Sequence, residues 1–190
     1  MFETACGPIG ELSQPEQVSG WLGEDLLAQM PSGKRQRAWL AGRVLLAQSI
    51  PMQPLPAFLL APNGKPAFSH AEFPAFNISH SGDCVFVATT MRGQIGCDVE
   101  LIRQRPASLE IARHYFSSRE YAWLAAQPVE GVCAEFWRLW TVREAILKQK
   151  GESVWQMQHI QLDPETLATP EVAVSHWYQN GHSFAVAVEK

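Results

Sequence analysis

The chain carries one short pattern twice. Residues 76–90 read FNISHSGDCVFVATT, and the tail from 171 to 189 contains VAVSHWYQNGHSFAVAVE. In both, a branched residue precedes Ser-His, a turn follows, and the turn leads into a run of strand formers. An internal repeat constrains a fold more than any local propensity, because each copy must be one supersecondary unit. Each copy also has helical sequence ahead of it. The pattern therefore predicts an α+β chain of two similar halves related by a pseudo-twofold and facing each other, divided at 1–100 and 101–190 but acting as one unit. A chance recurrence of Ser-His is the competing explanation of so short a match.

The local patterns supply the elements. Residues 32–49, SGKRQRAWLAGRVLLAQS, place Trp39, Leu40, Val44 and Leu45 at helical spacing behind a Ser32 cap. Six prolines (Pro51, Pro54, Pro56, Pro62, Pro66 and Pro74) make 50–75 an irregular connection. CVFVATT (84–90) and QIGCDVE (94–100) are β-branched runs around Met91, Arg92 and Gly93, which reads as a hairpin. In FSSREYAWLAA (116–126), Ser117 and Glu120 have capping-box spacing. The strongest helix is EFWRLWTVREAILKQKG (135–151): apolar residues recur at 136, 139, 140, 142, 146 and 147, and the segment ends on Lys148, Lys150 and Gly151.

Composition narrows the function. With 15 Lys and Arg against 19 Asp and Glu, the net charge of −4 argues against a general nucleic-acid binder, which must neutralise phosphates. An anionic ligand must be met by a local cluster. The N-terminus has no basic, apolar leader, and no run approaches the ~20 apolar residues of a membrane span, so a soluble cytoplasmic protein is expected. Cys6, Cys84, Cys97 and Cys133 have no C-x-x-C spacing and read as packing thiols.

Asp98 and Glu100 stand two apart at a strand end, so both carboxylates share a face. Two hard oxygen donors suit Mg2+, which keeps water and substrate oxygens in its remaining positions; a solvated strand end carries the same pattern. Glu144 and Lys148, four apart on the late helix, offer a third carboxylate and an ammonium for phosphate, or an ordinary helix pair. NISHSGD (77–83) puts Ser79 and His80 in a segment able to surround an anionic oxygen, although His80 also suits a turn. Gly64, Lys65 and Pro66 form a stiffened loop with one ammonium. Lys34, Arg35, Arg37 and Arg43 concentrate positive charge on the first helix, as a phosphate site or a solvated face.

Taken together, GKP at 64–66, FNISHSGD at 76–83, IGCDVE at 95–100 and FWRLWTVREAILKQKG at 136–151 resemble the Sfp/AcpT-type 4'-phosphopantetheinyl transferases over about residues 32–155. The order and spacing of four motifs carry the resemblance. It implies a monomer of two α+β halves with the active site between them, which transfers the phosphopantetheine arm of coenzyme A to a serine of an apo acyl carrier protein. It implies Mg2+ on Asp98, Glu100 and Glu144, with Lys148 near the pyrophosphate and Ser79 and His80 as phosphate contacts. Gly64, Lys65 and Pro66 match the loop at the adenosine end of coenzyme A, and the helix with Arg35 and Arg43 matches the region near its phosphates. Glu144, directly or through water, is the base implied for the carrier serine, with His80 and Lys148 as its catalytic partners. Arg143 departs from the family's usual Lys-Glu-Ala, keeping the charge and changing the hydrogen-bond geometry.

Two other classes compete. A metal-dependent phosphohydrolase or nuclease also uses clustered acids and a lysine, and a catalytically silent domain would only bind carrier proteins. For the carrier, residues 102–119 set Arg103, Arg105, Arg113 and Arg119 against the single acid Glu110, with Ile102, Tyr115 and Phe116 as apolar contacts.

Overall fold

A computed structural model describes residues 1–50, 55–61, 64–70 and 72–190. Two units result, Met1–Gly93 and Gln94–Lys190, both mixing helices with an antiparallel sheet, so the α+β class holds. Among the described residues no helix is long and apolar enough to cross a membrane.

The first unit opens with β1 (Phe2–Pro8), followed by three short helices, α1 (Ile9–Leu12), α2 (Pro15–Trp21) and α3 (Glu24–Leu27). A 3-10 turn, Gly33–Arg35, leads into α4 (Gln36–Ser49). The minimal pair β2 (Leu59–Leu60) and β3 (Pro66–Ala67) precedes the hairpin of β4 (Ala75–Ser81) and β5 (Cys84–Thr90). Pro51, Pro54 and Pro62 of the proline-rich connection lie outside the described residues. The sheet order is β1-β5-β4, with Phe2 opposite Thr90 and Ser81 opposite Cys84. Helix α4 buries Ala41, Val44, Leu45, Leu46 and Ala47 in a core with Phe76, Val85 and Val87. Gly42 permits the close approach: a Cβ there would stand 2.8 Å from Ile78 Cγ2.

The second unit begins with β6 (Ile95–Leu101) and continues through α5 (Ser108–Tyr115), α6 (Ser118–Ala125) and α7 (Val129–Lys150). A 3-10 segment, Val154–His159, precedes the hairpin of β7 (Val172–Gln179) and β8 (His182–Glu189). The order is β6-β8-β7. The two sheets thus share one plan: the first strand pairs with the third, which forms a hairpin with the second. Asn180 and Gly181, with φ of 48° and 72°, close the β7–β8 hairpin in the left-handed conformations of a type I′ turn. Both Ser-His pairs fall on the middle strand of their chain order. Ser79-His80 stops one residue short of the turn, however, and Ser175-His176 lies two residues further from it.

The reading of 84–100 as a hairpin is corrected. Strand β5 has β1 on one edge and β4 on the other, so no edge is left for β6, which pairs with β8 instead. The strand with Asp98 and Glu100 accordingly belongs to the second unit, whereas the sequence division at 100 set it with the first half. Ser117 and Glu120 form the expected capping box at α6. Helix α7 begins six residues before the expected 135 and ends where expected, with Gly151 at φ 71°.

Candidate active site

Strand β6 and helix α7 bring the acidic residues together, and Gly96 sets how closely they approach. A Cβ on Gly96 would lie 2.1 Å from the carbonyl oxygen of Ala145 and 2.2 Å from the amide nitrogen of Gln149, so the backbone of α7 rests directly on the strand. Asp98 and Glu100 share the face of Gly96 by the period-two rule, and Glu144 and Lys148 immediately precede the two helix residues in that contact. Lys148 Nζ donates to Asp98 Oδ1 at 2.6 Å. Asp98 is 3% exposed and Glu100 half-buried.

The electrostatics follow from this crowding. Burial pushes the Glu144 carboxyl above its ordinary range; Lys148 opposes that, and the negative charges of Asp98 and Glu100 add to it. For Lys148, burial pulls the ammonium down, but the charge and hydrogen bond of Asp98, together with Glu144, outweigh burial and hold it above the usual lysine value. Asp98 and Glu144 thus both act on Lys148, and Glu100 adds a third negative charge near Glu144. A hard divalent cation fits such a donor set. Among the described residues no group of three or more His, Cys, Asp or Glu side chains is set as a ready-made metal site.

Arg143, beside Glu144 in sequence, takes no part in this face. It is fully buried and ion-paired with the equally buried Glu120, and its guanidinium also donates to the carbonyl of Met157 and lies 5.2 Å over the ring of Phe116. The sequence pointed elsewhere: Arg143 stood in a site motif and Glu120 in a capping box, and only the packing of α6 against α7 buries them together.

The first unit holds the remaining candidates. Ser79 and His80 lie within β4, not in a loop before a strand, so their side chains point to opposite faces of the sheet. Ser79 is buried and His80 exposed. Gly64 adopts φ 80° and, with Lys65, closes the turn between β2 and β3 through hydrogen bonds from Gly64 N to Ala61 O (2.8 Å) and from Ala61 N to Lys65 O (2.9 Å); Pro66 opens β3. Arg35 is exposed in the 3-10 turn ahead of α4. Arg43 lies on α4, its guanidinium 4.3 Å from the ring centre of Trp39 and 5.5 Å from that of Phe58, and burial lowers it to about 10.

The arginine segment 102–119 is part surface and part core. Arg103 and Arg113 are exposed, and Arg105 lies 5.5 Å over the Trp137 ring. Arg119 is held by Asp163 at 2.5 Å. Phe116, expected as a surface contact, is buried and stacks on Phe136 at 5.8 Å, because α5 turns there into the core.

Comparison with known proteins places the chain among its relatives. Residues 94–188 match the 4'-phosphopantetheinyl transferase superfamily. The chain is 42% identical over 157 residues to the 4'-phosphopantetheinyl transferase AcpT of Salmonella typhimurium, covering 83% of this chain and 78% of that protein. It is 36% identical over 187 residues to AcpT of Escherichia coli K12, covering 98% and 90%. It is also 36% identical over 124 residues to the 4'-phosphopantetheinyl transferase psf-1 of Bacillus pumilus, covering 62% and 52%.

Proposed function

Because the chain belongs to the 4'-phosphopantetheinyl transferase superfamily, we propose that its acceptor is a serine of an apo acyl carrier protein and its donor coenzyme A, with adenosine 3',5'-bisphosphate released. The observation that carries this reading is the convergence of Asp98, Glu144 and Lys148 where α7 rests on β6.

The chemistry is transfer of a phosphoryl-linked group, in which positioning and charge neutralisation do most of the work. The serine oxygen forms a bond to the phosphorus that carries pantetheine, and the bond from that phosphorus to the bridging oxygen of the adenosine bisphosphate breaks. Glu144, directly or through a water, takes the serine proton. Asp98, Glu100 and Glu144 would hold Mg2+, which when bound supplies positive charge to the pyrophosphate. Lys148 steadies the charge that develops on the leaving side, with His80, the exposed member of the Ser79-His80 pair, as a further phosphate contact. Lys65 with its Gly64 and Pro66 neighbours, Arg35 and Arg43 bind the adenosine end and its phosphates.

The test mixes the protein with apo carrier protein, coenzyme A and Mg2+ and follows the carrier by mass spectrometry. A gain of one phosphopantetheine arm supports the reading; an unmodified carrier with intact coenzyme A would reduce the chain to a binding module, and hydrolysed coenzyme A without a modified carrier would make it a phosphohydrolase.

A further inference from the structure

One buried ion pair in the second unit is not used by the proposed chemistry, although it sits one residue from it. Arg143 and Glu120 are both fully buried. Burying two charges in place of apolar side chains gains little stability, and a hydrophobic pair of similar volume is often as good or better. What the charged pair adds is direction. Glu120 Oε1 accepts from Arg143, while its other oxygen accepts from the backbone N–H (3.0 Å) and hydroxyl (2.5 Å) of Ser117, the cap of α6. Arg143 also donates to the carbonyl of Met157 in the 3-10 segment and, at 3.5 Å, to that of Tyr115 at the end of α5. A single side chain on α7 thereby ties down three neighbouring pieces of chain.

We infer that the Arg143–Glu120 pair is a positioning element of the active site: it fixes the rotation of α7 about its axis, and so determines where Glu144 and Lys148 stand relative to Asp98. Leu139, Val142, Ala145, Ile146 and Leu147 seat α7 in the apolar core, but such packing is non-directional and by itself fixes the roll of a helix about its axis only loosely. The contact at Gly96 sets the distance between α7 and β6, and the guanidinium anchor, about 100° round the helix from Glu144, sets the angle. The inference rests on the roles proposed above for Glu144 and Lys148.

The full-length protein is compared with Arg143→Met, Arg143→Lys, the double variant Glu120→Leu/Arg143→Met, and Glu144→Gln. Thermal midpoint, kcat, the KM for coenzyme A, and Mn2+ binding followed by electron paramagnetic resonance are measured for each. Arg143→Met alone strands a buried carboxylate and loses stability. The double variant removes both charges and recovers much of that loss, short of what the α6 capping box and the Met157 carbonyl lose with them. If the pair positions the site, the double variant still loses kcat by about 10- to 100-fold, keeps the KM for coenzyme A within about twofold, and binds Mn2+ more weakly. Arg143→Lys, which retains the charge facing Glu120, keeps most of kcat. A stable double variant with parental kcat and Mn2+ binding overturns the inference. Glu144→Gln separates two failures: kcat lost there but kept in the double variant rejects positioning alone, whereas kcat kept in both rejects the site reading and positioning with it.

Discussion

The ammonium of Lys148 lies 2.6 Å from Oδ1 of Asp98, so a residue assigned to phosphate and a residue assigned to metal are joined by an ion pair. The lysine balances part of the charge of the acids that face it. Removing it leaves Asp98, 3% exposed, and Glu144 to repel each other. Lys148→Ala is therefore expected to cost about 1–3 kcal/mol in urea unfolding, and to lower kcat at least about tenfold in the transfer assay.

Gly96 makes the arrangement possible. An alanine Cβ there would fall 2.1 Å from Ala145 O, against backbone that cannot rotate aside. Gly96→Ala should destabilise by more than about 2 kcal/mol, seen as a lower denaturant midpoint. Whatever protein remains folded should turn over slowly, since α7 must lift from β6.

Legibility in the sequence followed the range of the forces involved. Helix α7 and the Ser117–Glu120 box were readable because spacing and capping are local, as was the Asp98-x-Glu100 pair on one strand face. The partner of a strand is not local. CVFVATT announces a buried strand, but nothing in it says that β1 takes one edge, and β1 itself alternates weakly, with Glu3, Thr4 and Cys6 among its seven residues. The helices α1 and α3, at four residues each, are too short for periodicity to register. Arg143 looked like a variant of a site motif, and only its burial beside Glu120 gives it a different role.

His176 supplies a pH dependence of stability outside the acidic site. Its Nε2 lies 2.9 Å from the hydroxyl of the buried Ser183, and burial, aided by the charge of Arg138, pushes the imidazole down from 6.5 to about 4. Between those values the unfolded chain binds the proton more readily, so this contribution is complete above pH 6.5 and is lost as the pH falls toward 4. Urea midpoints measured across this interval should fall with acid more steeply in the parent than in His176→Gln.

For the carrier, the surface candidates are Arg103, Arg105, Arg113 and Arg119, the last exposed beside Asp163. The backbone of Arg103 is fixed to α7 by hydrogen bonds to its carbonyl from Trp137 Nε1 (2.8 Å) and Cys133 Sγ (3.2 Å), leaving an exposed side chain on a rigid base. Docking of an acidic helix here predicts that Arg103→Glu with Arg105→Glu raises the KM for the carrier, spares that for coenzyme A, and flattens the salt dependence of transfer. An unchanged carrier KM across a salt series would remove this segment from the interface.

The measurement that bears most directly on the central claim is the mass of an apo carrier protein incubated with coenzyme A, Mg2+ and either the parent protein, Asp98→Ala or Glu144→Ala, with circular dichroism to verify that each is folded. The parent should add one phosphopantetheine arm and lose that activity when the divalent cation is chelated; each variant should keep its fold and leave the carrier unmodified. A carrier unmodified by the parent, or modified at the parental rate by either variant at ordinary Mg2+, would contradict the account.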